Sequence, residues 1–215
     1  MSEKDGISVN FFVDGSYNLI TPDGKPAEVI QQTDYPVSGN ISLKLVLAKE
    51  EQLKVRIRIP LWSQNSVLTV NGQPVENVVP GKFAEISRTW KSGDEISLAV
   101  DMRGRIVHMG ELPENLAIVR GPIVLTRDAR LGTPHVDETI KPLLDKEGFI
   151  KLEPAGTNRD GIWMKYKGSF MVESHMEGDN KPVEIIFCDY ASAGNTIDEH
   201  SWFRVWLPQS FDPRK

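Results

Sequence analysis

In Gln52-Leu53-Lys54-Val55-Arg56-Ile57-Arg58-Ile59 every second residue is apolar, and few patterns restrict a backbone more tightly. Successive side chains of a strand point to opposite faces, so Leu53, Val55, Ile57 and Ile59 share one face while the charges take the other. The segment is therefore expected to be a half-buried antiparallel strand. Related alternation marks Ile7 to Val13, Asn40 to Leu47, Phe83 to Trp90, Glu95 to Val100, Ala117 to Thr126, Phe170 to His175, Val183 to Asp189 and Trp202 to Leu207. Short strands with turns between them argue for β-sandwiches. Asn71-Gly72, between Val67 to Val70 and Gln73 to Val75, is the dipeptide that tolerates positive φ at both central positions of a type I′ hairpin turn. Pro22-Asp23-Gly24, Pro80-Gly81, Ser92-Gly93-Asp94 and Gly178-Asp179-Asn180 mark further reversals. No stretch sustains a 3.6-residue apolar period, so helix is expected to be scarce, with one short turn allowed between Asp137 and Asp145.

A chain of 215 residues has room for one large β domain or two smaller ones. Two lobes are favoured, because regular alternation ends near Asp101-Met102-Arg103-Gly104 and a stretch richer in Gly and Pro follows. The final strands, Glu184 to Asp189 and Trp202 to Leu207, alternate as those of the first lobe do. The expected layout is all-β: two antiparallel, jelly-roll-like β-sandwich lobes, the second inserted near the end of the first. Residues 1–102 would form the first lobe and 103–181 the second, and 182–215 would return to complete the first.

Composition narrows the function classes. Apolar residues make up 40 % and charged residues 26 %, the balance of an ordinary globular protein with a sizeable core. A net charge of −5, with Lys and Arg scattered through strands, gives no footprint for nucleic acid. Cys188 is the only cysteine, which rules out an intrachain disulfide and a multi-thiolate metal site. Its apolar neighbours Ile185 to Phe187 mark it as a packed side chain rather than a reactive thiol. Met1 to Gly6 lacks an apolar h-region and no run approaches ~18 apolar residues, so neither a leader nor a membrane span is expected. The compartment of a longer parent, periplasmic or secreted among the options, stays open. No Gly-x-Ser-x-Gly elbow, phosphate loop or dinucleotide fingerprint is present, and no cofactor is expected.

The order of four motifs carries a resemblance. Arg58-Ile-Pro-Leu-Trp62, Val70-Asn-Gly72, Arg88-Thr-Trp90 with Gly93-Asp94, and Val119-Arg-Gly-Pro-Ile-Val124 follow one another along the chain. Asp5 to Asn10, Gln32 to Pro36, Asp189 to Asn195 and Arg204 to Pro208 extend the pattern to both ends. Together they resemble the carboxyl-terminal β-sandwich region of glycoside hydrolase family 127, the β-L-arabinofuranosidase-like family. The resemblance implies an amino-terminal (α/α)6 barrel that carries the chemistry, followed by two β lobes. It further implies a cysteine nucleophile in a zinc site of a glutamate and several cysteines, all within the barrel. This chain is expected to begin after that barrel, Cys188 lies in the wrong segment, and no catalytic residue is carried over. The implied role is that of a non-catalytic accessory region bracing the barrel and shaping its substrate side, with the barrel as partner. An independent carbohydrate-binding module, taking a plant-type oligosaccharide, is the alternative.

Candidate binding residues are few. Five tryptophans invite sugar stacking, but Trp90 and Trp206, read as strand residues, are expected to pack. Trp62, just past a strand end, and Trp163, in a loop-like stretch, are the better stacking or docking candidates. Arg120, ahead of Gly121-Pro122 between apolar strand halves, has an ion pair as its default and carboxylate or sugar binding as the sharper reading. Asp198-Glu199-His200 reads as a solvated loop, and His108, His135 and His175 lack metal-ligand spacing. A self-contained glycosidase needs two carboxyl groups at fixed separation, which nothing in the order of the acidic residues singles out.

Overall fold

The computed structural model describes residues 1–110, 112–156, 161–173, 181–196 and 201–209. The chain divides into two compact units, Met1–Met102 and Arg103–Lys215. Nearly all the regular structure is β; the described helix is limited to two 3-10 turns, Ala129–Leu131 and Tyr190–Ser192.

The first unit is a sandwich of two sheets. Its strands are β1 (Ser2–Glu3), β2 (Gly6–Val9), β3 (Gly15–Ile20), β4 (Pro26–Thr33), β5 (Asn40–Leu47), β6 (Glu51–Arg58), β7 (Val67–Val70), β8 (Gln73–Pro74), β9 (Phe83–Trp90) and β10 (Glu95–Ala99). One sheet runs β1-β2-β6-β9 and the other β3-β4-β5-β10-β7-β8. All neighbours are antiparallel except β2 and β6. The alternation that predicted β6 is realised: Leu53, Val55 and Ile57 are buried and share one core cluster with Ile41, Leu43 and Leu45 of β5 from the facing sheet. The hairpin turn is as expected, with φ of 48° at Asn71 and 78° at Gly72, and Val70 pairs Gln73.

The resemblance motifs find their physical role here. The Asn71 side-chain amide donates to Asp94 Oδ1 at 2.8 Å, and its oxygen accepts the Glu95 N–H at 2.8 Å. Asp94 Oδ2 accepts the Lys91 N–H at 3.0 Å, and Arg88 stands 3.7 Å from the same oxygen while stacking over fully buried Trp90. Burial pushes the Asp94 carboxyl up, but the Lys91 N–H, the Asn71 amide and Arg88 outweigh it and the net direction is down. Two turns far apart in sequence are thus clamped together by one carboxylate.

The second unit is a single antiparallel sheet wrapped on its own core. Its strands are β11 (Gly104–Met109), β12 (Leu112–Arg120), β13 (Ile123–Asp128), β14 (Ile140–Pro142), β15 (Glu153–Pro154), β16 (Lys165–Val172), β17 (Val183–Asp189), β18 (Phe203–Arg204) and β19 (Leu207–Pro208). The path runs β11-β12-β13-β17-β16-β14, with β15 on β16 and β18 on β13. A bridge from Ile140 to Gln209 beside β19, which pairs β12, brings the far end of that path back to its start. Phe170, Phe187, Leu125 and Leu207 fill the interior.

Four expectations need correction. The last strands do not return to the first lobe: β17 pairs β13 and β16, and β18 and β19 pair β13 and β12, all in the second unit. Alternation says which face a strand buries, not which sheet it joins, and here Ile185 and Phe187 bury against Phe170. Ala117 to Thr126 is not one interrupted strand but the β12–β13 hairpin, in which Arg120 pairs Ile123. Gly121, at φ 56°, supplies the positive φ of a two-residue turn, so Gly-Pro reverses the chain. The stretch from Asp137 to Asp145 contains strand β14 in place of a helical turn, because Ile140 and Pro142 turn inward at alternate positions. Trp206 sits half-buried in a bend between β18 and β19 rather than inside a strand. The turn at Gly178 to Asn180 lies outside the described residues.

Candidate functional site

In the second unit a buried polar network supports a group of exposed aromatic rings. Asp128 and Asp189 are almost wholly buried, at 2 % and 1 % exposure, and each is saturated by protein donors. Asp128 Oδ1 accepts from the Arg130 N–H at 3.0 Å and Nε at 2.8 Å; Oδ2 accepts from Arg130 Nη2 at 2.7 Å and the Gly194 N–H at 2.9 Å. Asp189 accepts from the Ser192 N–H and hydroxyl and, at 2.9 Å, from the Met164 N–H. Burial works against the Asp128 carboxylate, yet the Arg130 side chain and the Gly194 and Arg130 N–H groups outweigh it and hold its pKa below the usual carboxylate range.

These bonds fix three loops against one another. Ser192 Oγ accepts the Trp163 N–H at 2.9 Å, Arg130 Nη1 donates to Asn195 Oδ1 at 2.7 Å, and Asn195 Nδ2 donates to the Gly161 carbonyl at 2.8 Å. The Tyr190–Ser192 turn therefore both presents Tyr190 and anchors Trp163. The Tyr190 and Phe203 rings meet at 6.1 Å between centroids. A Cβ on Gly194 would lie 2.6 Å from the Phe203 ring, so only glycine allows that ring so close to the loop. Trp163, Tyr190, Trp202 and Phe203 remain 46 %, 54 %, 59 % and 43 % exposed. Trp202 and Phe203 also line an open depression of about 630 Å³ with Val136, Asp137, Arg204 and Trp206, where Arg204 Nε donates to Asp137. These exposed aromatics stand above a rigid polar base, a surface of the kind that can take part in binding or docking.

The three residues singled out from sequence fare differently. Trp163 is in the second unit, 46 % exposed, with its backbone N–H tied to the 190–192 turn through Ser192. Trp62 is in the first unit, partly buried against its core, on a loop that Ser63 anchors by accepting the Asp101 N–H at 2.7 Å; the exposed large apolar side chain beside it is Leu61. Arg120 stacks over the buried Tyr166 ring at 4.3 Å from its centroid. Tyr190, Trp202 and Phe203 carried no sequence signal beyond being aromatic, since their exposure follows from the 190–192 turn and the short strand β18.

Metal and thiol chemistry would rest on the His, Asp, Glu and Cys residues of the chain. Among them no three His, Cys, Asp or Glu side chains are grouped to hold a metal ion. The Cys188 thiol is fully buried, and burial together with the nearby Asp128 and Asp189 charges pushes its pKa up to about 12, far from a reactive thiolate. His175 and Asp198-Glu199-His200 lie outside the described residues.

Residues 6–102 match the family model described as Beta-L-arabinofuranosidase, GH127 middle domain. The first unit is similar to a GH127 middle domain. Solved structures extend the likeness to the second unit. A GH127 β-L-arabinofuranosidase from Geobacillus stearothermophilus T6 superposes with a TM-score of 0.73 over 97 % of this chain at 21 % identity. A structure titled glycoside hydrolase gives 0.75 over 95 % at 28 % identity, and a GH127 β-arabinofuranosidase gives 0.75 over 97 % at 23 % identity. The chain spans only 34 %, 36 % and 36 % of those three proteins. No curated protein matches it in sequence. In this chain the Val-Asn-Gly and Gly-Asp motifs each supply half of one hydrogen-bonded unit, the Asn71–Asp94 clamp.

Proposed function

We propose that this chain is a non-catalytic accessory region of a glycoside hydrolase related to β-L-arabinofuranosidases, bracing an (α/α)6 catalytic barrel and shaping the substrate side of that barrel. The observation that carries the reading is the match of residues 6–102 to a GH127 middle domain in a chain spanning about a third of its structural relatives. The exposed aromatics of the second unit support it, since Trp163, Tyr190, Trp202 and Phe203 are the residue types that anchor protein interfaces. The two buried carboxylates support it as well, because their lone pairs are committed to holding loops.

Trp163 also favours a second reading, an independent carbohydrate-binding module, because a half-exposed indole can stack on a sugar ring. One pair of measurements on Trp163→Ala separates the two. Under the accessory reading the variant binds the separately produced barrel about tenfold more weakly by sedimentation, the loss of a single aromatic anchor. If binding to the barrel is unchanged while retention on arabinose-containing polysaccharide is abolished, the module reading replaces it.

A further inference from the structure

The first unit contains a groove of about 650 Å³, lined by β2 and the residues after it on one side and by β3 and β4 on the other. That volume suits a small molecule. Its rim is aromatic and aliphatic: Phe11 is 72 % exposed, Val13 57 % and Tyr17 37 %, and Tyr17 is held in place by donating its hydroxyl to the Val13 carbonyl at 3.0 Å. Leu19 and Val29 continue the apolar wall. No Asp, Glu, Lys, Arg or His side chain lines it.

Of the polar side chains that interrupt this wall, two carry a buried amide oxygen without a hydrogen-bond partner. Gln31 is only 6 % exposed, because β4 alternation turns it inward with Ala27 and Val29, and its Oε1 has no hydrogen-bond partner. Asn10 Oδ1 is likewise buried without a partner, while its Nδ2 rests 3.1 Å from Met1 Sδ. A buried amide oxygen without a donor is costly, and two on one groove mark a place where donors are supplied from outside. A purely apolar ligand would leave both oxygens unmet, a carboxylate has no proton to donate to them, and the lining offers a cation no counter-charge.

We propose that this groove binds a neutral saccharide, whose C–H face lies on Phe11 and Tyr17 and whose hydroxyls donate to Asn10 Oδ1 and Gln31 Oε1. A sugar hydroxyl both donates and accepts, as does a primary amide, so the pairing leaves no group of either partner stranded. The site lies wholly within the first unit and does not depend on an accessory role.

The test is a titration of the isotopically labelled full chain, followed by backbone amide NMR, with an L-arabinose disaccharide, cellobiose and, as an apolar control, laurate. At least one disaccharide is expected to give saturable shifts concentrated in residues 9–19 and 29–31. Phe11→Ala should weaken that binding at least about tenfold, as expected for loss of a stacking ring. Gln31→Leu removes the unmet oxygen, so its unfolding midpoint should equal or exceed that of the parent chain while saccharide binding is lost. Gln31→Leu should also leave association with the catalytic barrel unaltered, which separates failure here from failure of the accessory reading. The proposal is overturned if neither disaccharide moves these signals, if laurate alone does, or if Gln31→Leu binds sugar as tightly as the parent.

Discussion

Asp128 and Gln31 are both buried polar residues, and their surroundings assign them opposite roles. Asp128 receives four donor contacts and acts as a structural knot, whereas the Gln31 amide meets no donor and faces a groove. Replacing Asp128 by Asn puts an N–H₂ where an acceptor is needed, facing Arg130 or the Gly194 N–H. The expected cost is about 3 kcal/mol in a urea unfolding experiment, typical of breaking a buried charged network. The pH dependence has a definite sign. The folded Asp128 pKa is depressed below the unfolded value of about 3.9, so its stabilisation is fully present above that pH and is lost as pH falls through the folded value. Thermal unfolding of Asp128→Asn should therefore start lower near neutral pH and decline less steeply in acid than that of the parent chain.

At the scale of elements, the Asn71-Gly72 turn and the Ser92-Gly93-Asp94 turn behave as one unit. Asn71→Ala should destabilise the first unit by about 1–3 kcal/mol, because it removes both amide hydrogen bonds and places alanine at positive φ. Asn71→Gly keeps the backbone conformation and loses only the amide, so its urea midpoint should fall between those of Asn71→Ala and the parent. Strands with clean alternation were readable in the sequence: β5, β9 and β17 run where their patterns place them. Strands β3 and β4 were not, because the inward position at Gln31 is polar and Gly15, Ser16 and Asn18 blur the apolar period of β3. The residue that hid β4 is the one that gives the groove its chemistry. The β12–β13 hairpin was missed for another reason: Gly-Pro is compatible with a bulge or a reversal, and only the pairing of Arg120 with Ile123 decides.

At the scale of the whole molecule, each unit builds its own hydrophobic core, and each also leaves an apolar surface uncovered. The likeness to GH127 was legible from motif order, but the set of exposed aromatics in the second unit was not. Of these four rings only Trp163 stood out in sequence, and the others are gathered by loops whose geometry depends on Asp128 and Asp189. The assignment of the last strands failed at this same scale, since a period of two carries no address for a strand's partners. The central claim is that the chain contributes structure to a reaction performed elsewhere. Its most direct test is the rate of aryl β-L-arabinofuranoside hydrolysis by a separately produced catalytic barrel as this chain is titrated in. The account predicts no hydrolysis by the chain alone and a barrel activity or active lifetime that rises to a plateau at one chain per barrel. Hydrolysis by the chain alone, or a folded barrel indifferent to its addition, would contradict it.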